Sequence, residues 1–205
     1  MTNKNTRFKG EYALDHILWG LISWLWFTKS LFQNIEGLSY DRSRLDEDTW
    51  VQLSSREKLD ALQTVANIEA CYFGLPHALN VISGNLEHNL LACYSDQMHL
   101  ITIDLHHLEY DSARSVLESL CHEARHAYQH RLCDVYDGAA ETQKTLLLFR
   151  SVQCFRQEFS NYVEGSDDPT GYYTQQCETD ARAYADEAAV DYYARIHAYL
   201  KENRA

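Results

Sequence analysis

The sequence predicts a mainly α-helical fold with a small β part, an α+β chain. Three observations lead there. Two prolines and eight glycines are all that interrupt 205 residues, so helices meet few breakers. Apolar residues recur three and four apart over five stretches, the spacing of one helix face. One stretch only, residues 88–105, alternates with the two-residue period of a strand. The length suits one domain with a real core over residues 1–205. Within it, residues 1–75 read as an N-terminal helical part, and residues 88–205 as a hairpin followed by long helices.

Residues 1–10 are polar and read as a frayed terminus. Leu14 to Phe32 is apolar, with an uninterrupted core at 17–27, about half the twenty residues a membrane span requires. Basic residues at 4, 7 and 9 precede it, but Glu11 and Asp15 intervene and no small-residue cleavage site follows Phe27. The segment is therefore read as a buried N-terminal helix rather than an anchor or export signal. Residues 34–50 read as loop. Ser54 and Glu57 form a capping box that opens a helix carrying Leu59, Leu62, Val65, Ile68 and Tyr72, and Gly74 and Pro76 close it.

The alternating stretch reads as a β-hairpin. Leu90 to Tyr94 supply its first strand, Ser95-Asp96-Gln97 its turn, and Ile101, Ile103 and Leu105 one face of its second strand. An exposed edge strand there can take up an extended peptide as a further strand. Asp111 reads as the N-cap of the next helix, with Ala113, Val116, Leu117, Leu120, Ala124 and Tyr128 as its apolar stripe. Ala139 to Tyr162 reads as another helix, Val163 to Thr174 as a loop, and Gln175 to Lys201 as the last helix.

Charge and cysteine usage exclude several functions. A formal net charge of −12 argues against a nucleic-acid partner and against docking on anionic lipid. The six cysteines, at 71, 93, 121, 133, 154 and 177, contain no C-x-x-C pair, so a second, cysteine-based metal site is not expected. Without an export signal they read as reduced thiols in a cytoplasmic protein.

Chemistry concentrates in the helix after the hairpin. His122, Glu123 and His126 form H-E-x-x-H, placing two imidazoles one turn apart on one face, able to hold one zinc ion. Glu123 sits about 100° around the helix from His122, where a carboxylate can take a proton from a water on the metal. A third ligand is needed. His130 is excluded, being about 12 Å along the axis from His122. His106 and His107 are adjacent, so their side chains diverge. Glu178 opens the last helix, and Ala181 and Ala185 follow on nearly the same face, where small residues let two helix backbones approach. Glu178 is the first candidate and Asp180 the second.

H-E-x-x-H followed by a helix beginning Glu178-x-x-Ala181 resembles the gluzincin class of zinc metallopeptidases. Glu178-x-x-Ala181-x-x-Tyr184-Ala185 resembles, more narrowly, the E-x-x-A-x-x-F-A pattern of small intracellular ImmA/IrrE-type metallopeptidases. A strand ahead of the zinc helix, here ITIDL, is similar too. The likeness covers about residues 88–131 and 175–190, and departs in the 51 residues between His126 and Glu178, long for such enzymes. It implies a zincin-like domain with Zn2+ held by His122, His126 and Glu178, and Glu123 as the catalytic base. The implied activity is peptide-bond hydrolysis on a protein or peptide substrate, a regulator among the substrates the resemblance suggests. An oxyanion donor is also required, and Tyr172, Tyr173 and Tyr184 are its candidates. The alternative is a metal-binding regulatory or interaction protein that cleaves nothing.

Overall fold

The computed structural model describes residues 43–87 and 89–203. The polar terminus and the apolar stretch 14–32 lie outside the described residues. The described chain is mainly helical with one small sheet, as the sequence predicts.

A short helix α1 (Glu47–Trp50) precedes α2 (Ser55–Tyr72). The predicted capping box is present: the Ser54 hydroxyl accepts from the Glu57 N–H, and Glu57 accepts from the Ser54 N–H at 2.9 Å. The helix buries Ala61, Leu62, Val65, Ala66 and Ala70 in the core. Gly74 ends it in the left-handed region (φ 62°), letting the Leu75 N–H return to the Ala70 carbonyl.

The sheet has three strands rather than two. β1 (Asn80–Gly84), β2 (Ala92–Ser95) and β3 (Leu100–Asp104) lie in the order β1-β3-β2. β2 and β3 form the predicted antiparallel hairpin, while β1 pairs parallel to β3. β1 escapes a sequence reading because only Val81 of its five residues is buried. Its position is set from outside. Gln63 of α2 donates to the Leu79 carbonyl and accepts from the Val81 N–H, satisfying backbone groups a strand neighbour would take. Ile101 and Ile103 face the core on one side of β3, but Leu105 leaves the strand and opens α3 (Leu105–Tyr110), capped by Asp104.

The long helix α4 (Ala113–Gly138) begins one residue later than expected. Ser112 is its N-cap, accepting from the Ser115 N–H. Asp111 instead ends α3 and pairs with buried His107 at 2.6 Å. Glu47 of α1 adds a second cap, accepting from the N–H groups of Ala113 and Arg114, where the helix dipole favours negative charge.

Residues 139–162 do not form one helix. They fold as α5 (Glu141–Lys144), a 3₁₀ turn (Leu147–Phe149) and α6 (Val152–Ser160). The reason is that the apolar residues serve two directions. Phe149 and Val152 turn inward onto Tyr136 of α4, whereas Leu147 is 80% exposed. The expected loop after it contains a short helix α7 (Pro169–Thr174), capped by Asp168. The last helix, α8 (Gln176–Asn203), packs along α4 as the largest interface of the fold. Cys177, Ala181, Ala185 and Ala189 lie buried along it, so small side chains admit the close approach.

Candidate metal centre

His122 and His126 project from α4 toward the start of α8, and their Nε2 atoms are 3.0 Å apart. Two imidazole lone pairs cannot converge so closely without a proton or a cation between them. Glu178, fully buried in the first turn of α8, completes the group. Its Oε2 lies 3.2 Å from His122 Nε2 and its Oε1 3.1 Å from His126 Nε2. These three residues are the group of convergent metal-binding side chains found among the described residues.

The donors fit a divalent cation. Tetrahedral ligation at about 2.0–2.1 Å sets donor atoms about 3.3 Å apart, close to the observed separations. One oxygen of the carboxylate is already engaged: Glu178 Oε1 accepts from the Tyr162 hydroxyl at 2.6 Å. Oε2 is buried without a hydrogen bond of good geometry; it faces His122 and the Arg182 guanidinium, 3.6 Å away, so positive charge already gathers at this oxygen. Burial opposes the charge on Glu178, but the facing imidazoles and the Tyr162 hydroxyl prevail and hold its carboxyl far below the usual range.

Glu123 sits beside the group, also buried. Burial pushes its carboxyl up, the nearby imidazoles pull it down and Glu178 pushes it up again; the net direction is upward. The Tyr94 N–H of β2 hydrogen-bonds the carboxylate, so the strand fixes its place. His126 is shifted upward as well: burial works against its charge, and the carboxylates of Glu178 and Glu123 overcome it.

The group opens onto a cleft of about 800 Å³. One wall is β2, at the edge of the sheet among the described residues, with Leu90 and Leu91 at its lip. The facing wall comes from the segment between α4 and α8, through Phe159, Tyr162 and Tyr172. His130 also lines the cleft but stacks on Phe159 at 4.0 Å, outside the metal group as helix geometry requires. His107 is committed to Asp111 and Ser119.

Other candidates from the sequence are placed elsewhere. Asp180 points away from the group and takes a two-pronged bond from Arg125, at 2.8 and 3.0 Å. Tyr173 is 64% exposed, with the Arg182 guanidinium over its ring. Tyr184 lies off the cleft, its hydroxyl bonded to Glu69 and its ring against Phe73. Of the three tyrosines only Tyr172 borders the cleft. Tyr162 was not singled out by the sequence. It reaches Glu178 because the chain turns after α6, and no local pattern announces that. Comparison with known proteins adds nothing to this geometry: no family model, curated protein or solved structure matches the chain. Among the described residues, no helix is long and apolar enough to cross a membrane.

Proposed function

We propose that the protein is a zinc-dependent peptidase acting on an extended protein or peptide substrate, a regulator being one such substrate. The observation that carries this is the buried Glu178 carboxylate, whose two oxygens each meet one imidazole from more than fifty positions earlier in a single convergent group. A set of two histidines and one glutamate, with an open cleft on the remaining side, suits catalytic zinc. Zinc there supplies Lewis acidity, acidifying a water and polarising a carbonyl.

The chain's own residues supply the rest. Glu123 accepts the proton of the attacking water and delivers it to the leaving amine. Tyr172 borders the cleft and is the residue assigned to donate to the oxyanion of the tetrahedral intermediate. Tyr162 holds the Glu178 carboxylate through Oε1 and so keeps it aimed at the two imidazoles. β2, at the edge of the sheet and bordering the cleft, is where an extended chain would add as a further strand. The cytoplasmic setting argued from the cysteines belongs to this reading.

Metal analysis and cleavage of a peptide library test it together. The wild type is expected to carry one zinc per chain and to cleave. Glu123→Gln is expected to keep the zinc and to lose about 10²–10⁴-fold in rate. Equal cleavage by the variant refutes the mechanism. A wild type that binds zinc and cleaves nothing supports the regulatory reading instead.

A further inference from the structure

We propose that Gln129 is a positioning residue that fixes the tautomer and aim of His126, and that Asp180 and Arg125 hold Gln129 in that role. The proposal rests on reading His122, His126 and Glu178 as metal ligands, and not on the peptidase activity.

Counting donors and acceptors leads to it. Gln129 is fully buried, three residues after His126 on α4. Its amide nitrogen lies 2.9 Å from the Cys177 carbonyl and 2.8 Å from Asp180 Oδ2. Both partners only accept, so both amide hydrogens are used there. Flipping the amide would set its oxygen against a carbonyl and a carboxylate at once. The amide oxygen must therefore face His126 Nδ1, 2.8 Å away. An oxygen in that place requires a donor, so Nδ1 carries the proton. In the neutral ring Nε2 is then the nitrogen that carries the lone pair, and it faces His122 and Glu178, 3.0 and 3.1 Å away. Only this tautomer lets the ring ligate.

The rest of the relay keeps the amide from turning. Asp180 takes both the Gln129 amide and the Arg125 guanidinium, so its oxygens are committed. Arg125 is itself held over the rings of Tyr128 and Tyr184, at 4.9 and 5.1 Å. The relay uses the positions beside the ligands in both segments. Arg125 lies between the two histidines, and Asp180 lies two residues after Glu178. It also joins α4 to α8 without needing a metal.

Nitrogen NMR of the imidazoles and zinc competition against a chromophoric chelator test this. In the metal-free wild type, the neutral His126 ring, reached by raising the pH, is expected as the Nδ1–H tautomer. Gln129→Met, close in volume but unable to bond the ring, is expected to bind zinc about 10–100-fold more weakly. The same variant is expected to lose the His126 tautomer preference. A neutral wild-type His126 ring that carries its proton on Nε2 and not on Nδ1 overturns the proposal, and that measurement needs no variant to fold. Zinc affinity unchanged in Gln129→Met overturns it too. A wild type that binds no zinc refutes the metal centre itself, and the relay's role with it.

Discussion

Two buried carboxylates lean on α4, and they are built for opposite ends. Glu69 of α2 is almost fully buried, and its two oxygens accept from the hydroxyls of Tyr184 and Tyr192. Burial pushes its carboxyl up, against the pull of those two hydroxyls. Glu178 of α8 is equally buried but accepts one hydroxyl, from Tyr162, and sets each of its two oxygens against one imidazole nitrogen, Oε1 against His126 and Oε2 against His122. Burial alone does not make a site. Glu69 is saturated by two hydroxyls and serves the core, whereas Glu178 meets nitrogen atoms that converge from another helix.

Three experiments can break or sharpen this contrast. The largest effect is expected from Glu178→Ala, which removes both a charge and a donor. Zinc affinity should fall by more than about 100-fold, beyond the range for outer-shell losses, read by chelator competition. Retained affinity would make Glu178 a structural acid of the Glu69 kind. Tyr162→Phe comes next. It frees Glu178 Oε1 without touching the ion, so affinity should fall by about 10-fold, with urea unfolding of the metal-free protein changed by less than about 1 kcal/mol. A loss of stability larger than the loss of affinity would assign Tyr162 to packing.

The smallest effect concerns Glu69→Gln. A carboxyl whose folded pKa lies above its ordinary value of 4.5 gives its full stability below that value and loses it as pH rises through the folded pKa. The amide does not titrate and can still meet both phenols. The urea midpoint of the wild type should therefore decline, relative to the variant, as pH goes from 4 to 8. A decline in the opposite direction would mean that the two tyrosines stabilise the charge more than burial opposes it.

Much of this was legible locally. The capping box at Ser54 and Glu57, the stop at Gly74, the hairpin turn and the spacing of His122 and His126 each depend on residues within one turn of one another. The places where sequence reasoning failed share a different trait. β1 forms because β3 and Gln63 hold it, not because of its own pattern. Asp111 loses the N-cap to Ser112 because His107 claims its carboxylate. The helix expected over 139–162 breaks because Phe149 and Val152 are drawn onto Tyr136 while Leu147 faces solvent.

The sequence by itself determined the helical class, the two imidazoles on one face and the acid beside them, since a helix repeats every 3.6 residues whatever surrounds it. Only the tertiary structure decided that Glu178 and not Asp180 meets those imidazoles, that Tyr162 and Gln129 support the group, and that β2 borders the cleft. Glu178 and Asp180 are two positions apart on one helix and so point about 160° away from each other. Which of them faces α4 depends on how α8 is rotated, and the buried alanines along their shared interface decide that rotation.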